Sequence, residues 1–195
     1  MKLDIDYSND ARWEVFDRDR SEFTVPNIFI DVLMRYAGKI KRLKNINHAI
    51  ETGTFMGKTT SFLAAHFNVV HTVELVVTEE KKESYNNIRK QFPNIEWYKG
   101  SSDLALVDIL KANPDTTFFF LLDAHDCQLS PLKDELVNIK THSNKKDHVI
   151  IIDDCVDLGS GNWPTEQEMR DLLLDINPKY TVENTGIGRD IYIAY

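Results

Sequence analysis

Residues Ala49 to Thr60 read AIETGTFMGKTT: a short apolar run, Glu-Thr-Gly, a second glycine, then the start of a helical pattern. Gly53 permits a tight turn and a close backbone approach to a ligand, and Gly57 permits close contact between helix and strand. In an open α/β sheet, a strand end beside the switch point of the strand order is where ligands bind. The next apolar run, HTVEL, ends on Glu74. A carboxylate there is suited to accept hydrogen bonds from both hydroxyls of an adenosine ribose.

Two rival readings compete for this loop. GTFMGKTT resembles a phosphate-binding loop, but Thr54, Phe55 and Met56 leave it one residue short of the required spacing. Phe55 and Met56 are also bulky for a loop that wraps phosphates with its amides. A nicotinamide site wants a middle glycine, which is missing here. The bland alternative, a plain strand-to-helix turn, leaves Glu74 unexplained.

Outward from the turn, strand-like runs at 48–51, 69–74, 95–99, 117–123 and 149–153 alternate with helical patterns at 57–67, 78–92, 102–112 and 129–142. Such alternation reads as successive βαβ units on a parallel sheet. FFFLLD and HVIIID are apolar at consecutive positions, as in strands covered on both faces. After a helix near 165–177, KYTVEN and DIYIAY are separated only by TGIGR, a connection too short for a crossover and suited to a hairpin. The expected fold is therefore α/β: a Rossmann-like, mostly parallel sheet with helices on both faces and a C-terminal antiparallel hairpin. Residues 1–46, with the helical pattern PNIFIDVLMRYAGKI, form a separate leading segment that either covers a sheet edge or acts as a substrate lid; residues 47–195 form the main domain.

The order of motifs resembles class I S-adenosylmethionine-dependent methyltransferases: the E-T-G-T-x-x-G-x-T-T turn, the acid ending the next strand, YKGSSD after the third, LLDAH ending the fourth and VIIIDD ending the fifth. The terminal hairpin is similar to that family's last two strands. More narrowly, LLDAH…PLKDEL…HVIIIDD…WPTEQEM resembles a little-characterised bacterial and viral branch. The resemblance implies that Glu51, Gly53, Thr54 and Gly57 frame the methionine moiety of S-adenosylmethionine and that Glu74 holds the ribose. Phe55 and Thr59 fall in the same donor-binding turn. Ser101 and Ser102 would lie near the adenine, Ser102 serving equally as a helix cap, and Asp123 would meet the donor's amino group.

Asp123, His125 and Asp126 leave the fourth strand, and Asp153, Asp154 and Asp157 leave the fifth. Neighbouring strands would bring the two groups together, and mutually repelling carboxylates call for a cation or a proton. Mg²⁺ is the natural candidate, on Asp123, Asp153 and Asp154. This resembles metal-dependent O-methyltransferases related to catechol methyltransferase. The chain departs from them in having Asp153-Asp154-Cys155 where Asp-Asn is usual, and no lysine after the first acid; His125 then becomes the expected base. With Asp123, it forms the expected catalytic pair. The unfilled alternative for Asp153 and Asp154 is strand-end capping with water.

Methyl transfer from an activated sulfonium asks mainly for positioning, so the residues do not spell out the acceptor; a small molecule or a sugar hydroxyl is expected. Trp163, before Pro164, is placed either as a wall of the acceptor pocket or as a surface-packing residue. The remaining alternatives are a nucleotide-binding α/β enzyme (a nicotinamide oxidoreductase or an ATP phosphotransferase) and a non-catalytic protein that keeps the fold.

Composition sets outer bounds. The 195 residues, 42% hydrophobic and 28% charged, describe an ordinary globular chain. A net charge of −8 argues against a nucleic-acid partner, leaving Lys39, Lys41, Arg42 and Lys44 as a solvated helix end. The acidic, polar start is not a targeting peptide, and no apolar run reaches the ~18 residues of a membrane helix, so a cytoplasmic enzyme is expected. A homodimer is left open. Cys127 and Cys155 make no disulfide framework. His48, His66, His71, His142 and His148 lack metal-ligand spacing and are expected at the surface or at strand ends. TEEKKESYNNIRK is expected to be a solvated charged helix.

Overall fold

Consecutive apolar residues demand cover on both sides, and the sheet supplies it. The computed structural model describes residues 32, 35–36, 39–125, 129–188 and 190–195. Seven strands form one sheet in the order β3-β2-β1-β4-β5-β7-β6. They are β1 (His48–Thr52), β2 (Val69–Glu74), β3 (Ile95–Lys99), β4 (Phe118–Leu122), β5 (Val149–Ile152), β6 (Val182–Asn184) and β7 (Tyr192–Ala194). The first five run parallel, while β7 pairs antiparallel with both β5 and β6. Five α-helices connect them: α1 (Lys58–His66), α2 (Glu79–Gln91), α3 (Ser102–Ala112), α4 (Leu132–His142) and α5 (Glu166–Ile176).

Alternation along the strands divides the core into two layers. Ala49, Phe119, Leu121, Val149 and Ile151 face Phe62 and Leu63 of α1 together with Val32, Tyr36, Ile40, Leu43 and Ile46. Ile50, Phe118, Phe120, Leu122 and Ile150 face Leu106 and Ile109 of α3, Leu136 and Ile139 of α4 and Leu173 of α5. Truncating one of the buried β4 rings would cost about 3–5 kcal/mol. The described residues of the leading segment, Val32, Tyr36 and Ile40 among them, pack on one face of the sheet. Arg35 Nη1 donates to Thr185 O at 2.9 Å and Tyr36 Oη to Glu183 Oε2 at 2.9 Å, fastening that segment to the hairpin. The remainder of the PNIFIDVLMRYAGKI pattern lies largely outside the described residues.

Local signals set the helix starts. α5 begins at a capping box, with Thr165 Oγ1 accepting from Glu168 N and Glu168 Oε2 accepting from Thr165 N, a device worth about 1 kcal/mol. At the start of α3 the N-cap position falls to Ser101, whose side chain makes no capping bond; Ser102 is the first helical residue and is buried. Of the histidines expected at the surface or at strand ends, His48 opens β1 and His148 immediately precedes β5, while His71 lies inside β2. His71 and His148 are buried, with His148 Nδ1 accepting from Phe118 N at 3.1 Å and its Nε2 meeting Ser143 Oγ at 3.0 Å. The His48 ring lies 6.2 Å from that of His71. Arg42, expected to be solvated, donates through Nη2 to His148 O at 2.8 Å. Among the described residues no helix is long and apolar enough to cross a membrane.

Candidate functional site

The strand order reverses between β1 and β4, and the carboxyl ends of these strands carry the residues singled out above. At Gly53 φ is +88°, and an added Cβ would lie 2.1 Å from Asp123 O. The glycine is therefore required by the close passage of the β4 end as well as by the turn. Gly57, at φ +77°, caps α1; a Cβ there would come within 2.6 Å of Ile88 Cδ1 on α2. Phe55, between them, is a bulky residue at φ +47° that leaves its ring 70% exposed. Backbone conformations of that kind cost about 1–3 kcal/mol and persist where surrounding bonds hold them.

The holding bonds come from β2 and α2. Phe55 N donates to Glu74 Oε2 at 2.7 Å, Tyr85 Oη to Phe55 O at 2.7 Å and Ser84 Oγ to Met56 O at 2.8 Å. Glu74 Oε1 accepts from Val76 N at 3.1 Å and pairs with Lys81 Nζ at 3.0 Å. Glu51, in contrast, turns inward beneath the turn. Its Oε2 accepts from Thr60 Oγ1 at 2.5 Å and Thr72 Oγ1 at 2.6 Å, and Thr72 in turn meets Thr54 Oγ1 at 2.6 Å. Burial pushes the Glu51 carboxyl up to about 7 against the opposing effect of those two hydroxyls. Thr59 stands in the first turn of α1.

The other half of the edge is an acid cluster. Asp123 N is anchored on Thr52 O at 3.0 Å, and Asp153 N on Leu122 O at 3.1 Å. Asp123 is driven up to about 9, first by burial and then by Asp153, Glu51, Asp154 and Glu135. Asp154 adopts φ +52°, a left-handed conformation that aspartate tolerates better than most residues. His125 Nε2 lies 3.9 Å from Asp123 Oδ1 and 3.9 Å from Asp154 Oδ2. Asp123, His125 and Asp154 place one ligand atom each within 4.8 Å of one another. Asp153 is not part of that group; its Oδ1 accepts from Asp154 N at 2.8 Å. Of the expected Asp123, Asp153 and Asp154, this close group holds Asp123 and Asp154, with His125 as its third member. Trp163 is buried, not a surface residue, and its ring lies 4.3 Å from that of His125 at 65°. Asn162 Oδ1, beside it, accepts from Ser130 N at 2.7 Å, tying the loop after β5 to the loop after β4. Asp126 and Cys127 lie outside the described residues. Cys155 is buried, and that burial pushes its thiol far up, away from the thiolate form. Asp157 ends the short 3-10 turn of Cys155–Asp157.

Ser101 and Ser102 come to the same edge, Ser101 Oγ bonding the Asp103 carboxylate. Facing them is a residue the sequence reading passed over. Glu135, in the first turn of α4, is 1% exposed and lies against Thr52 and Ser102, with burial raising it to about 7. Its signal was a carboxylate on the apolar stripe Leu132–Leu136–Ile139. Lys81, Ser84 and Tyr85 were passed over too, inside the run expected to be solvated. There Tyr85, on the inward side of a charged helix, was the mark of a packed face.

No protein-family model matches the chain, and no curated protein matches it. Solved structures do. The SAH-bound methyltransferase PaMTH1 of Podospora anserina superimposes with a TM-score of 0.57 at 10% identity, over 95% of this chain and 87% of that one. A candidate O-methyltransferase from Klebsiella pneumoniae gives 0.56 at 15% identity, over 90% and 82%. A methyltransferase from Geobacter sulfurreducens gives 0.52 at 11% identity, over 100% and 98%. The chain has the class I methyltransferase fold. In a methyltransferase fold the hairpin strand β7 between β5 and β6 is the feature that departs from an all-parallel dinucleotide-binding sheet, and it is present here.

Proposed function

We propose that this chain is an S-adenosylmethionine-dependent methyltransferase acting on a hydroxyl of a small molecule or a sugar. The observation that carries the reading is the placement of Glu74 at the end of β2, hydrogen-bonded to the glycine turn that leaves β1. In this reading the turn at Gly53, Thr54, Phe55 and Gly57 receives the methionine part of the donor and Glu74 the ribose. Ser101 and Ser102 stand on the adenine side. Glu51 acts from beneath by fixing Thr54, Thr60 and Thr72. Because the sulfonium is already activated, catalysis rests on alignment and exclusion of water.

The acid half supplies the acceptor side. Asp123, His125 and Asp154 fit a divalent cation: two carboxylate oxygens and one imidazole nitrogen within 4.8 Å, around an aspartate whose ionisation burial and its neighbours oppose. The imidazole extends the choice from Mg²⁺ to first-row transition ions. Such an ion would supply Lewis acidity, lowering the pKa of an acceptor hydroxyl. His125 Nε2 can be ligand or base, not both at once, so the base role belongs to a cation-free form. Trp163 holds the His125 ring in either case.

The test is turnover of S-adenosylmethionine with pooled catechol, phenolic and sugar acceptors, with and without Mn²⁺ or Mg²⁺, read as homocysteine-nucleoside product. Product that needs both an acceptor and the cation supports the whole reading. Product that persists in chelator and vanishes in His125→Ala supports the base. Absence of product in every pool, together with tight NAD or ATP binding, would return the glycine turn to its rival readings.

A further inference from the structure

The charged run after β2 contributes to the donor edge, and Lys81 is its most telling member. Thr78 caps α2 by accepting from Lys81 N, and this sets the Lys81 side chain pointing back over the end of β2. Only 14% of that side chain is exposed, against 53% for its neighbour Lys82. Its ammonium donates to Val76 O at 2.9 Å, pairs with Glu74 Oε1 at 3.0 Å and stands 5.5 Å from the centre of the Phe55 ring. A lysine that gives up water and side-chain freedom for such a position is not a solvated face residue.

Counting donors and acceptors gives the position a chemical meaning. An ionised carboxylate has about four lone-pair sites, and an ammonium has three donors. Among the described residues Glu74 uses sites on Phe55 N, Val76 N and Lys81 Nζ, and Lys81 uses donors on Glu74 and Val76 O. One acceptor site, on Glu74 Oε2, and one Lys81 donor then remain within this pair. A vicinal diol matches that pair, because each hydroxyl both donates and accepts.

Resting on the donor reading above, we infer that Lys81 is a second ribose ligand: one hydroxyl of the donor's 2′,3′-diol donates a hydrogen bond to Glu74 while a hydroxyl oxygen accepts one from Lys81 Nζ. The glycine turn, Glu74 and α2 then form one unit, and donor selection depends on the diol rather than on the carboxylate alone.

Titration calorimetry of S-adenosylhomocysteine and its 2′-deoxy and 3′-deoxy analogues tests this, using the full chain with wild-type, Lys81→Met, Lys81→Gln and Lys82→Met. Wild type is expected to bind the parent and to lose about tenfold or more toward one deoxy analogue. Lys81→Met is expected to lose about tenfold for the parent but little for that analogue, the size of a hydrogen bond to a charged group. Lys81→Gln, which keeps a donor, should recover part of the loss. Lys82→Met, with the same charge change on an exposed residue, should match wild type. Lys81→Met binding the parent as tightly as wild type, or losing equally for the parent and both analogues, would overturn the inference. Wild type failing to bind the parent would instead overturn the donor reading beneath it.

Discussion

The two halves of the strand edge are built on opposite electrostatic plans. On the β1–β2 side every carboxylate has partners: Glu51 has two threonine hydroxyls, and Glu74 has two backbone N–H groups and Lys81. On the β4–β5 side Asp123 faces Asp153, Asp154, Glu51 and Glu135, and its ionisation is pushed up to about 9. One half has its carboxylates paired before any ligand arrives, with one site on Glu74 and one donor on Lys81 to spare; the other holds repulsion that a cation or a proton relieves. The first arrangement suits a nucleoside of fixed geometry. The second suits chemistry in which charge changes during the reaction.

The sharpest way to break the comparison is at the seam. Gly53→Ala sets a methyl group against Asp123 O and forces alanine to φ +88°. We expect a loss of about 3 kcal/mol or more in urea unfolding, with binding of S-adenosylhomocysteine gone. A variant of wild-type stability would mean that the two strand ends do not meet as described.

Next in size is the cation. Saturating Mn²⁺ at pH 8, at about a hundredfold over its dissociation constant, should stabilise the fold by about 2.7 kcal/mol, read as a higher thermal midpoint. Asp123→Asn should abolish that response and, without metal, unfold at a higher temperature than wild type because repulsion is relieved. An equal response in the variant would place the ion elsewhere.

Glu135 sharpens the contrast through pH. Burial raises its folded-state value from 4.5 to about 7, so the native state holds the proton that the unfolded chain releases. Stability therefore falls as pH rises from about 4.5 through about 7, and the full penalty stands above that window. Glu135→Gln should gain about 1–2 kcal/mol at pH 8, with almost no change at pH 4.5, in urea titrations at the two pH values. A gain of the same size at both would show that the charge of Glu135 is not the cause. The smallest effect belongs far from the edge: breaking the exposed Lys140–Asp175 pair with Lys140→Ala should cost under about 0.5 kcal/mol.

Much of this was legible in the sequence because periodicity and turn chemistry are local. FFFLL and VIII announced buried parallel strands, and the short TGIGR link announced the hairpin. The bounds of β2, β3 and α3 came out as read. Side-chain direction at a strand end was not legible, since neighbouring residues there leave to different faces. Glu51 therefore turns under α1, and His125 joins Asp123 and Asp154 in one close group. Lys81 and Glu135 escaped for a related reason. Each is an ordinary charged residue in its own helix, and only packing against another strand's end makes it part of the site.

The central claim is that the β1–β2 half of the edge is a donor site, and titration of S-adenosylhomocysteine into wild type and Glu74→Ala, with NAD as control, tests it most directly. The account predicts micromolar binding to wild type, a loss of about tenfold or more in Glu74→Ala, and no NAD binding. Tight binding that survives Glu74→Ala, or NAD bound in place of the homocysteine nucleoside, would contradict it.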